Sequence, residues 1–107
     1  MSSTKEYHEF ITDQLSDIDG VSSRAMMGEY VLYFRGKVFG GIFDDRFLVK
    51  PTPSARALMP EAPAEIPYPG GSPMLLVDNV EDRAFLRGLV EAMFPELPAP
   101  KAKKKGQ

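Results

Sequence analysis

Cysteine is absent from this 107-residue chain. Its absence excludes disulfides, thiolate catalysis and cysteine-ligated zinc or iron–sulfur centres, and makes a reducing cytoplasm the expected compartment. Histidine is nearly absent, with His8 the only one. A serine nucleophile needs a base beside it, and a lone imidazole at a helix start, with no third partner in view, gives no basis for a Ser-His-acid triad. Nothing near His8 has metal-ligand spacing either. No run of eighteen apolar residues occurs, so no membrane span is expected, and the opening "MSSTKEYHEF" lacks the apolar centre of a secretory signal. No catalytic residue, cofactor or metal ligand is therefore expected, and the chain reads as non-enzymatic.

What is present suits one soluble domain with a modest core: 43% hydrophobic and 26% charged residues. The net charge of −2 conceals an asymmetry. The ending "KAKKKGQ" holds four lysines (Lys101, Lys103, Lys104 and Lys105), which leaves nine basic against fifteen acidic residues over positions 1–100. Such a surface repels a phosphate backbone. Any nucleic-acid or anion contact is expected to be weak, and to use Lys103, Lys104 and Lys105 with Arg24, Arg35 and Arg46. Each of these arginines sits near a strand end, and the three make an anion site only if they converge on one edge of the sheet.

Hydrophobic period divides the chain. Tyr7, Phe10, Ile11, Leu15 and Ile18 form one stripe of a helix over residues 4–19. Ser3 and Glu6 offer a capping box at its start, and Gly20 a left-handed stop. The runs "EYVLYF", "KVFGGIF" and "RFLVK" read as strands of an antiparallel meander, with "SRAMM" a further strand and Gly28 at a bend. Both faces of these strands are fairly apolar. Thr52 and Pro53 start a short helix ending near Met59. Residues 60–73 are too proline-rich for a helix or a central strand. "MLLV" is one more strand, and Phe85, Leu86, Leu89, Val90 and Met93 stripe a last helix that Pro95 stops. The expected fold is α+β: an N-terminal helix, a four- to five-stranded antiparallel sheet, and a short and a C-terminal helix packed on it. The expected domain spans 1–94, with 95–107 a disordered Pro/Lys-rich tail.

"FRGKVFGG" looks at first like a phosphate loop. That loop needs Gly, four residues, then Gly-Lys-Ser/Thr before a helix. Here the preceding glycine is Gly28, Val38 stands where the hydroxyl should be, and a strand follows. Gly36 is instead read as a hairpin turn, and Gly40-Gly41 as a bulge or a place where an aromatic ring or helix packs on bare backbone. "DD" at 44–45 is read as a polar hairpin tip rather than a cation site.

The run "RAMMGEYVLYFRGKVFGGIFDDRFLVKPT" resembles the N-terminal domain of the TfoX/Sxy family. The likeness rests on Arg24, the Met26-Met27-Gly28-Glu29-Tyr30 step, the Gly36-Lys37 turn and the strand Phe47 to Thr52. Met27 stands where the family usually has Phe, and Arg35 where it usually has Asp. "IPYPGGSP" and the "LPAPKAKKK" ending look like the short, single-domain bacterial members. Longer relatives are competence regulators that act with a cyclic-AMP-responsive activator at promoters and carry a helical second domain, which is not expected within these residues. The resemblance implies a fold like that of secretion chaperones, often dimeric, and no catalytic residues. The expectation is a regulatory or protein-interaction module that binds a protein partner or itself, with Tyr30, Tyr33, Phe39 and Phe43 as the candidate surface. A small-molecule or anion site between helix and sheet is the alternative.

Overall fold

The structure, a computed structural model, describes residues 4–26 and 29–98. Helix α1 spans Lys5–Gln14. Its cap is Thr4, whose hydroxyl accepts from the Tyr7 amide at 3.1 Å, so the cap lies one residue beyond the expected Ser3. Ile11, Leu15 and Ile18 enter the core, whereas Phe10, expected in the same stripe, is exposed. Turns continue from α1 to Gly20, which takes the left-handed conformation at φ 95°.

Among the described residues six strands form one sheet: β1 (Val21–Met26), β2 (Glu29–Phe34), β3 (Lys37–Ile42), β4 (Phe47–Val49), β5 (Ala64–Glu65) and β6 (Met74–Leu76). The order is β1-β2-β3-β4-β6-β5, antiparallel throughout. The sheet has more strands than the four or five expected. The extra one is β5, two residues long, which lies within the proline-rich segment and at the edge of the sheet, where proline's missing donor costs no ladder bond. The order departs from a simple meander because β6 inserts between β4 and β5.

Two hairpin tips show how local chemistry sets the register. Arg35 and Gly36 both have positive φ, 52° and 86°, the two-residue turn whose twist matches a right-twisted strand pair. Asp44 and Asp45 do the same at the other end, with φ of 54° and 57°, between the reciprocal Phe43 and Arg46 backbone bonds of 2.9 and 3.0 Å. Aspartate tolerates this region better than most residues, and both carboxylates are placed at the surface.

Cross-strand register assigns the two faces. Leu32, Gly40, Val49 and Leu75 share one row, and Phe34, Ile42 and Phe47 lie on the same side. These join the single core cluster with Ile11 and Leu15 from α1, and with Ala55 from α2 (Pro53–Leu58). Leu86, Leu89, Val90 and Met93 come from α3 (Arg83–Met93). All three helices therefore bury their apolar residues against one face. Thr52 caps α2 with its hydroxyl on the Ala55 amide, and Asp82 caps α3 on the Phe85 amide.

Residues 95–97, placed in the tail by composition, pack onto the domain instead. A 3-10 turn, Phe94–Glu96, leads to buried Leu97, and the Glu96 carboxylate accepts from the Ser54 amide (3.0 Å) and hydroxyl (2.7 Å) at the start of α2. These bonds hold the Glu96 carboxyl below the usual carboxylate range. A group with a depressed folded pKa contributes stability above its unfolded value and loses it as pH falls through the folded one. Wild type should therefore melt higher than Glu96→Gln at neutral pH. The gap should close as pH drops through and below the ordinary carboxylate range, and a gap independent of pH would refute this role. Residues 99–107 lie outside the described residues.

Candidate functional site: the helix-free face of the sheet

The same registers that fill one face leave a second on which no helix packs among the described residues. Arg24, Val31, Gly41, Leu48 and Leu76 make one row across five strands, and Tyr33, Met26, Met74 and Arg46 lie on that side. Leu48 and Phe43 are buried yet stand apart from the main core cluster. Their cover is local. The Phe43 ring folds back onto Gly41, where a Cβ would come within 2.5 Å of it, and Tyr68 packs on Phe43 at a ring separation of 5.8 Å. The glycine pair was read as a bulge, or as bare backbone under an aromatic ring or a helix; the bulge falls at Phe39 instead, and at Gly41 the occupant is the ring of Phe43 from the same strand end. At Gly40 the occupant is different: a Cβ there would run into the Leu48 carbonyl oxygen of β4 itself.

Arg46 holds this cover down. Its guanidinium meets Glu65 at 2.7 Å and donates to the carbonyls of Phe43, Ile66 and Pro67. The proline-rich strap is thus pinned across one end of the face. The remaining surface carries half-buried Val31 and Tyr33 and exposed Met26 and Tyr68, which are 49% and 55% accessible.

The candidate surface of Tyr30, Tyr33, Phe39 and Phe43 does not come together. Tyr33 alone lies on the helix-free face with its side chain accessible. Phe39 is fully buried: the register shift between Leu32 and Tyr33 gives β3 one extra residue, and the bulge turns Phe39 into the core, 6.5 Å edge-on to Phe47. Phe43 is buried as the lid of Gly41. Tyr30 sits on the helix side, stacked on His8 at 3.7 Å and 11°. Sequence spacing could not show that burial, because a bulge changes which face the following residues take.

The arginines do not converge either. Arg35 and Arg46 occupy hairpin ends at opposite ends of β3, and Arg24 is mid-strand on β1. Arg35 lies 5.0 Å from the Phe34 ring and 5.7 Å from Phe94, a cation–π role, and Arg46 is engaged with Glu65. Lys103, Lys104, Lys105 and Gly28 lie outside the described residues. Gly36 is the hairpin turn, as read from the sequence.

One pairing escaped sequence reasoning. His8 Nε2 is 3.2 Å from the Ser23 hydroxyl, fifteen positions away, because α1 runs beside edge strand β1. Neither residue lines the concavity between α2 and α3 or the one beneath Tyr68. Among the described residues no group of three His, Cys, Asp or Glu side chains could hold a metal ion, and no helix is long and apolar enough to cross a membrane. Burial pushes the Tyr7 phenol up, against a backbone hydrogen bond at Phe47 that pulls it down.

The profile of the TfoX N-terminal domain matches residues 13–87, from inside α1 to inside α3. The chain belongs to the TfoX N-terminal domain family. This TfoX N-terminal domain is similar to an "uncharacterized 12.7 kDa protein in trpE 5′ region" of Spirochaeta aurantia. The two are 34% identical over 105 residues, which cover 97% of this chain and 91% of that protein. No solved structure matches the chain. The matched span includes the whole sheet and both hairpin tips.

Proposed function

We propose that this TfoX N-terminal domain is a non-enzymatic regulatory module that docks a protein, either a second copy or another chain, through the helix-free face of its sheet. One observation carries the reading: the central strands are apolar on both sides, yet helices cover only one. Val31, Tyr33, Met26 and Tyr68 supply the apolar contact area, and Arg24 with Glu29 on the same side supplies charge at its margin. Aromatic residues at the centre of such a patch dominate binding energy where interfaces have been scanned. The regulatory character rests on family membership, and the soluble, cytoplasmic setting on the sequence.

The test is a double charge substitution, Val31→Glu with Tyr33→Glu, read by light scattering after size exclusion and by capture of defined partners. The wild type should self-associate or capture a partner, and the variant should lose at least about tenfold in affinity while its melting curve stays cooperative. A wild type that is strictly monomeric and captures no partner would remove the basis for this reading.

A further inference from the structure

Beside the helix-free face, which it meets at Leu76, the chain holds a two-part groove lined by none of the docking residues Met26, Val31, Tyr33 and Tyr68. Its first half is an open concavity of about 420 Å³ between the end of α2, strand β6 and the start of α3. Leu58, Met59, Leu76 and Phe85 give it an apolar floor, and Leu58 is 44% exposed. Its second half, of about 530 Å³, shares Asp78 and Asn79 with the first and adds Glu81 and Asp82. The groove therefore runs from a half that holds all of its apolar residues, together with Glu61, to a half lined by polar and charged residues alone.

The charges at the acidic end stand largely uncompensated. Arg83 lines it, but its guanidinium is turned to α1, meeting Asp13 at 2.8 Å and Asp17 at 3.4 Å. The carboxylate of Asp82 is engaged in capping α3 through the Phe85 amide. Among the described residues no cation pairs with Asp78 or Glu81 there, or with Glu61 in the first half. Carboxylates grouped this way attract a cation, and an apolar floor beside them favours one attached to apolar side chains.

We infer that this groove binds an extended peptide segment whose apolar side chains are followed by two or three lysines or arginines. The apolar residues seat on Leu58, Met59 and Phe85, and the basic ones pass between Asp78 and Glu81. Polarity along the groove fixes the order of the two halves, so the site discriminates by charge as well as by contact area.

A fluorescein-labelled Leu-Ala-Leu-Lys-Lys-Lys peptide titrated against the full chain tests this by anisotropy. Saturable binding is expected, with no binding of the Leu-Ala-Leu-Glu-Glu-Glu counterpart. Asp78→Lys with Glu81→Lys should weaken it by about tenfold or more, and Leu58→Asp should do the same from the other half. Glu9→Lys on α1 with Asp19→Lys in the turn that follows it makes the same charge change at exposed positions outside the groove and should leave affinity within about twofold. All these positions are at the surface, so unchanged melting curves confirm that each variant is folded. Equal weakening by the Glu9/Asp19 pair, no effect of Leu58→Asp, or binding of the acidic peptide would each overturn the inference. Amide shifts at Asp78 and Glu81 in the peptide-free chain that disappear with Lys103, Lys104 and Lys105→Gln would also overturn it, by giving the groove to the chain's own lysines.

Discussion

Gly40→Ala is expected to be strongly destabilising. An alanine Cβ at that position would collide with the Leu48 carbonyl oxygen and lie 3.0 Å from the Val49 Cα, both backbone atoms of the neighbouring strand. Backbone in the middle of a paired sheet cannot rotate aside as a side chain can. Relief requires β3 and β4 to part, which breaks the Gly40–Val49 and Gly41–Leu48 pairing. A cost of about 3 kcal/mol or more is expected, a large share of the roughly 5–15 kcal/mol that holds a small domain together. Gly88→Ala provides the contrast. Gly88 lies inside α3 with nothing within 4 Å of its added Cβ. There the substitution should stabilise by about 0.5–1 kcal/mol, because glycine in a helix interior gives up more chain entropy than alanine. Urea midpoints of the two variants should move in opposite directions. A Gly40→Ala protein within about 1 kcal/mol of wild type would mean that the sheet yields at this point.

Phe39→Ala should cost about 3–5 kcal/mol, as truncation of a fully buried aromatic does. The value separates two readings of the same residue. As a member of a solvent-facing patch, Phe39 would lose only a few tenths of a kcal/mol to alanine. As the core side chain packed edge-on to Phe47, it leaves a cavity inside the main core cluster. Denaturant unfolding of Phe39→Ala beside Tyr33→Ala gives the ranking directly. If the Tyr33 variant is the more damaged of the two, the face assignment is inverted.

Elements whose signal is local were legible in the chain. Thr52-Pro53, Arg35-Gly36 and Asp44-Asp45 announce a capped helix and two tight turns within a few residues, and each forms where expected. The stripe Leu86, Leu89, Val90 and Met93 likewise predicts its own burial. Phe39 and Phe43 were illegible because the burial of one depends on a bulge set by strand pairing and that of the other on Tyr68, twenty-five positions later, packing on its ring. Residues 95–97 were hidden by composition. Proline and glutamate suggest a solvated tail, but Leu97 finds the core and Glu96 finds Ser54, forty-two positions earlier. Strand order failed the same way. Nothing in "MLLV" says that it pairs with β4 before β5.

The insertion of β6 between β4 and β5 also sets a timetable for assembly. Met26 pairs with Glu29, Phe34 with Lys37 and Ile42 with Phe47, so the first four strands can zip from three sets of contacts close in sequence. Val49 and Leu75 are 26 positions apart, and the chain between them must close as one loop before that pair forms. The inner face of the early meander waits longer still, since α3 supplies four of its buried side chains and lies beyond β6. Formation of the native sheet is thus gated by the proline-rich segment: the residues least able to make regular structure decide when the most regular part of the molecule is complete.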